Sequence, residues 1–119
     1  MTLRFVILRH EGVPDPHFDL MFETAPGSPL TTWRSPAWPI DRPTPLVRLG
    51  EHRRAYLDYE GPISRDRGFV RRVEAGTCRI DRADDGTFWT VRFPEESPAP
   101  LSLKRVDAEQ WLAVPACGS

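Results

Sequence analysis

The sequence predicts a mainly β fold, a compact single-domain β-barrel of about eight short strands with little helix. Three observations lead there. Thirteen prolines and eight glycines cut the 119 residues into short pieces. No stretch keeps a clean helical apolar period for more than two turns. Short β-like runs recur instead, each bounded by turn signals. Nothing reads as a linker or an internal repeat. The expected unit is therefore one domain over residues 1–119, with its core over about 3–114 and a tail at 115–119.

The elements follow in chain order. Residues 3–10 read as the first strand and 17–23 as the second, joined by the loop Gly12-Val13-Pro14-Asp15-Pro16. Alternation on the second strand puts Phe18, Leu20 and Phe22 on one face and His17, Asp19 and Met21 on the other. Residues 30–34 form a short strand ending at Ser35-Pro36. The stretch 36–45 holds four prolines and is expected to be an ordered surface loop. Residues 46–49 are the next strand, and 58–61 close a turn before Pro62. Two runs, 69–74 and 77–81, flank Ala75-Gly76, which the pattern presents as a tight hairpin. Asp84-Asp85-Gly86 marks another hairpin before the strand 87–93. A polar loop at 94–100 leads to the closing strands 101–106 and 111–114, with a turn at 107–110. The expected core includes Phe5, Ile7, Phe18, Leu20, Phe22, Val70 and Val91.

Composition excludes several classes. The net charge is −1, whereas a protein that wraps long DNA non-specifically carries a clear positive excess. Fifteen of the sixteen basic residues are Arg, with Lys104 the sole Lys. Arg suits forked phosphate contacts, and a GC-rich genome produces the same bias. The apolar run Phe5 to Leu8, flanked by Arg4 and Arg9, is too short for a signal-peptide core or a membrane span. A cytoplasmic protein with no membrane partner is expected. Cys78 and Cys117 lack the spacing of a zinc knuckle. They form one disulfide or, in a reducing cytoplasm, two free thiols.

Three histidines carry the chemistry. His17 and Asp19 leave the same face of a strand, and His10 ends the strand before it. If the two strands pair as a hairpin, two imidazoles and a carboxylate come together, a ligand set that leaves positions open on a metal. The same His-x-Asp pair also occurs as a surface ion pair. A second cluster holds His52 and Tyr56, four apart and on one face whether the backbone is helical or extended. An imidazole and a phenol facing one way can both donate to a phosphate oxygen. A boundary histidine beside a half-buried tyrosine reads the same way.

The run Arg4-Phe5-Val6-Ile7-Leu8-Arg9-His10, then His17-Phe18-Asp19 and Glu23, resembles the opening motif of the 3′-phosphoesterase domain of bacterial DNA ligase D. Trp33 and Pro36 resemble the Trp and Pro that follow that motif. Glu51-His52, Tyr56-Leu57-Asp58-Tyr59-Glu60-Gly61 and Ile63 resemble its second motif, and Val73, Gly76 and Thr77 a later hairpin. The likeness runs from about residue 4 to about residue 114. It implies a β-barrel whose surface groove binds a divalent metal, manganese as a rule, with zinc or another transition metal as the alternative. His10, His17 and Asp19 would be its ligands, with His52 and Tyr56 on the phosphate. The implied activity is the trimming of DNA 3′ ends, by removal of a 3′-phosphate or a 3′-ribonucleoside, in end repair.

The departures from that family shape the expectation. Met21 stands where the family has an Arg, Ala37 where it has a Lys, and a further family Arg falls at or near Thr44. The first-motif loop is one residue longer than is usual. The family's N-terminal extension, tied to ribonucleoside removal, has no counterpart ahead of the first strand. Arg34, Arg42 or Arg48 can supply charge instead, and Arg48 is favoured for sharing the strand parity of His52. The expected substrate is a nucleic-acid 3′ end or a small phosphate ester, with a DNA ligase or polymerase of end joining as partner. Weak phosphate removal and little ribonucleoside removal are expected. The alternative is a catalytically weakened metal-binding module that partners a DNA-repair protein. A blander alternative is a structural barrel whose histidines only make hydrogen bonds.

Overall fold

The computed structural model describes residues 2–96 and 98–116. Nine strands run in the order β1 (Leu3–Glu11), β2 (His17–Glu23), β3 (Leu30–Ser35), β4 (Thr44–Arg48), β5 (Gly61–Pro62), β6 (Phe69–Arg82), β7 (Phe88–Arg92), β8 (Leu101–Asp107) and β9 (Gln110–Pro115). Their lateral order is β1-β2-β3-β4-β9-β8-β7-β6, and β6 pairs back onto β1. The result is a closed eight-stranded antiparallel barrel, with β5 added to β6 as one extra strand. Closure leaves the main sheet no free edge.

Alternation assigns each strand an inside and an outside. Phe5, Ile7, Leu20, Phe22, Trp33, Leu46, Val91 and Leu103 point inward and are buried. At this strand number the interior is just wide enough for side chains to fill. Trp33 is central: its ring meets Trp89 at 4.9 Å and Trp111 at 5.2 Å, both edge to face. Such geometry is favoured by the ring quadrupoles. A second, smaller cluster lies on the outer face. Val6, Leu8, Met21, Leu30, Leu57 and Val70 are buried there beneath Tyr56 and Ile63. The chain between β4 and β6 supplies the cover. Val70 therefore belongs to the outer layer, and Phe18 only packs against the inner core from a half-buried position.

Several boundaries differ from expectation for identifiable reasons. The hairpin at Ala75-Gly76 does not form. β6 passes straight through it for 14 residues, because β1 offers a partner along nearly its whole length, from Leu3 opposite Cys78 to Glu11 opposite Phe69. A bulge between Ile7 and Leu8 absorbs the register change. Gly76 lies opposite Phe5, whose ring an added Cβ would meet at an ordinary contact distance of 3.7 Å. β4 begins inside the proline-rich stretch, at Thr44, and ends at Arg48. Pro45 is tolerated because β3 pairs with β4 only at Val47 and Arg48, leaving its nitrogen on an unpaired stretch. The expected tail also starts later: β9 includes Pro115, and the Ala116 amide donates to Pro100 O at 2.8 Å.

Among the described residues Cys78 is a buried thiol with no disulfide partner, its pKa pushed up to about 12 by burial with the Glu23 charge adding to it. Cys117, and with it the disulfide question, lies outside the described residues. No helix among the described residues is long and apolar enough to cross a membrane.

Candidate metal centre

The site lies on the outer face of the barrel, where register stacks side chains from neighbouring strands in rows. His10 of β1 stands opposite His17 of β2. One step along, Leu8 faces Asp19, and Asp19 faces Arg34 of β3. A further step brings Val6 opposite Met21. Odd residues of β2 and even residues of β1 share this face, so the hairpin brings two imidazoles and a carboxylate to adjacent positions.

The distances are short. His17 Nε2 is 3.3 Å from Asp19 Oδ1, and His10 Nδ1 is 3.6 Å from Asp19 Oδ2. One ligand-capable atom from each residue lies within 4.8 Å of the others. The two rings meet edge to face at 4.8 Å. His17 and Asp19 are each 5 % exposed.

Backbone carbonyls orient each histidine. The other ring nitrogen of His17, Nδ1, is 2.8 Å from Asp15 O, and Nε2 of His10 is 2.7 Å from Arg67 O. A carbonyl accepts only from N–H, so each proton is held on the far side of its ring. In the neutral tautomer this turns His17 Nε2 and His10 Nδ1, as lone pairs, toward Asp19. Asp19 Oδ1 is buried and finds no hydrogen-bond donor among the described residues. Two lone pairs and an unsatisfied carboxylate oxygen facing one point are costly unless a cation joins them. The donor set fits a divalent transition metal, with the carbonyls in the orienting role typical of such centres.

The cavity above this set has a volume of about 160 Å³. The second cluster reaches it by a different route. Residues Arg54–Leu57 form a single 3-10 turn that carries Tyr56, and His52 just before it pairs with Leu30 through two backbone bonds of 2.9 Å. His52 and Tyr56 meet edge to face at 5.7 Å and both line the cavity. Gly50 O, 3.0 Å away, takes the Nδ1 proton of His52, so in the neutral ring the lone pair lies on Nε2. The segment is tied down by Glu23, which accepts from the Arg54 guanidinium, from Arg4 N at 2.6 Å and from Gly27 N at 3.2 Å. Burial alone would raise the Glu23 pKa. The backbone N–H of Arg4, the Arg54 guanidinium and the N–H of Gly27 together outweigh it and hold the carboxyl below its ordinary value.

Of the sequence-derived site residues, His10, His17, Asp19, His52 and Tyr56 line one cavity, and Arg48 does not. The choice of Arg48 is corrected by its strand. Thr44 and Leu46 face the barrel interior, so Arg48 does too, and its guanidinium lies 5.1 Å from Trp33 and 5.8 Å from Trp111. Parity with His52 is lost because β4 ends at Arg48 and one extra residue intervenes: Arg48 stands opposite Trp33, whereas His52 stands opposite Leu30. Arg34 lines the cavity instead, together with Arg67. The signal for Arg34 was its register with Asp19, which follows from the short connection between β2 and β3. No sequence signal marks Arg67 O as the partner of His10.

The chain is thus a closed antiparallel β-barrel with a two-histidine, one-aspartate set on its outer wall. No protein-family model matches the chain, and no curated protein matches it.

Proposed function

We propose that the protein is a divalent-metal-dependent phosphoesterase that removes a terminal phosphate from a nucleic-acid 3′ end. The observation that carries this reading is the convergence of His10, His17 and Asp19 with His52, Tyr56 and Arg34 around one small cavity. The resemblance to the ligase D phosphoesterase domain supports it. His10, His17 and Asp19 would hold the ion, manganese or another transition metal, which supplies Lewis acidity and a lowered water pKa. The chain's own residues do the rest. Arg34 offers a guanidinium to phosphate oxygens. Tyr56 donates through its hydroxyl. His52 donates from Nε2 when protonated, its Nδ1 already engaged by Gly50 O. Met21, Leu49, Ile63 and Val70 form an apolar wall that limits water at the reacting phosphate.

A second reading, a metal-binding module with weakened turnover that serves a repair ligase or polymerase, draws on one observation. Met21, 1 % exposed, occupies the cavity floor where a charged side chain would strengthen the phosphate clamp. The test is an end-labelled strand carrying a 3′-phosphate, incubated with manganese beside a His17→Ala control. Metal-dependent phosphate release that the control lacks is the expected result. Metal uptake without release from any 3′-phosphate substrate would leave the binding module as the reading.

A further inference from the structure

The cavity above His10, His17 and Asp19 measures about 160 Å³. Sites that enclose a whole drug-sized ligand measure roughly 300–1,000 Å³. The space takes a phosphate and an ion, and whatever is esterified to that phosphate must lie outside. A second cavity of about 290 Å³ adjoins the first. Tyr56, Ile63 and Arg67 belong to the walls of both, while Arg53, Tyr59 and Ser64 line only the second.

Two features give this second cavity a chemical character. It is cationic, because Arg53 and Arg67 line it and no carboxylate does. The Arg67 guanidinium is steadied by Ser64, donating to its carbonyl at 3.0 Å and its hydroxyl at 3.3 Å. It also presents a fixed aromatic ring. Tyr59 is 38 % exposed, yet its hydroxyl donates to Pro62 O. Its ring lies over Gly61, where φ is +141° and an added Cβ would come within 3.0 Å of the hydroxyl. Tyr56 meets the ring edge to face at 6.0 Å. A solvent-facing aromatic in a set orientation beside guanidinium groups is the combination on which single-stranded nucleic acids stack.

We infer that this second cavity is the subsite for the nucleotide unit next to the reacting phosphate. Its base stacks on Tyr59, and its own phosphate lies against Arg53 and Arg67. The composite groove then selects a single-stranded nucleic-acid end over a small phosphate ester. The inference rests on the proposed function for the terminal phosphate but stands on different residues.

The experiment uses the full chain and an end-labelled single-stranded oligonucleotide with a hydrolysis-resistant 3′-phosphorothioate, followed by fluorescence anisotropy. Arg53→Ala, at an exposed position, is expected to weaken binding about tenfold, the size of one charge-assisted hydrogen bond. The slope of log Kd against log salt should fall by about 0.7, as when a single strand has one phosphate fewer neutralised by the protein. Tyr59→Leu should weaken binding by a similar factor and leave the slope unchanged. Binding and slope untouched by both substitutions, or no binding by the wild type, would overturn the subsite. Binding that depends on Arg53 and Tyr59, with no phosphate release from any substrate, would keep the subsite and sink the hydrolytic reading. Phosphate release indifferent to both residues would do the reverse.

Discussion

Two buried carboxylates on the same face of β2 have opposite surroundings. Glu23 is saturated by three donors, from Arg4, Gly27 and Arg54. Asp19, four positions earlier, keeps one oxygen with none among the described residues. The first is a structural anion, and the second is a ligand of the metal site proposed above. Glu23 makes stability depend on pH with a definite sign. Its folded pKa is depressed, so its contribution is complete above its ordinary value of 4.5 and is lost as pH falls through the lower folded value. Glu23→Gln should destabilise the protein by about 1–3 kcal/mol at neutral pH. Urea denaturation should show that deficit shrinking as the pH drops below 4.5; a deficit constant with pH would contradict the assignment. The two arginines divide similarly. Arg34→Ala should lower phosphate release by about one to two decades. Arg48→Ala, which strips a guanidinium from over Trp33, should lower the denaturation midpoint and leave the rate per folded molecule unchanged. The sequence offered Arg34, Arg42 and Arg48 and favoured Arg48 on parity with His52, but strand parity places a side chain on a face only as far as the strand lasts.

At the scale of elements, β2 was readable because its two faces alternate cleanly and both are put to use. β6 was not. Ala75-Gly76 carries the composition of a turn, and only the partner strand β1, some seventy residues away in sequence, keeps the backbone extended there. That is tertiary pairing overriding local propensity. The approach to the site depends on another glycine. Gly68, at φ +77°, sits so close to β1 that an added Cβ would stand 2.1 Å from Glu11 O. This approach lets the neighbouring Arg67 carbonyl reach His10. Gly68→Ala must push the 64–68 loop off the strand. It should cost about 1–3 kcal/mol in stability. Loss of the orienting carbonyl should weaken metal binding by about 10- to 100-fold. Urea denaturation checks the first effect and calorimetric titration with the metal the second, and a stable variant with wild-type metal affinity would show that the carbonyl does not orient His10.

For the molecule as a whole, closure separates two tasks. The interior is filled by Trp33, Trp89, Trp111 and the aliphatic side chains around them. The outer wall over β1, β2 and β3 is freed to hold a site under the segment between β4 and β6. The barrel was legible in the sequence because short strands and frequent turns leave few other ways to bury this many apolar residues. The histidine and aspartate set was legible because two strands joined by a short loop must pair. The cover over that set was less so, since a 3-10 turn and a two-residue strand leave no periodicity to detect. The central claim is a metal held by His10, His17 and Asp19, and titration calorimetry with manganese and zinc tests it most directly. The account predicts one saturable site in the wild type, retained in His52→Ala and lost in Asp19→Asn. Uptake undiminished in Asp19→Asn, or no uptake of either metal by the wild type, would contradict it.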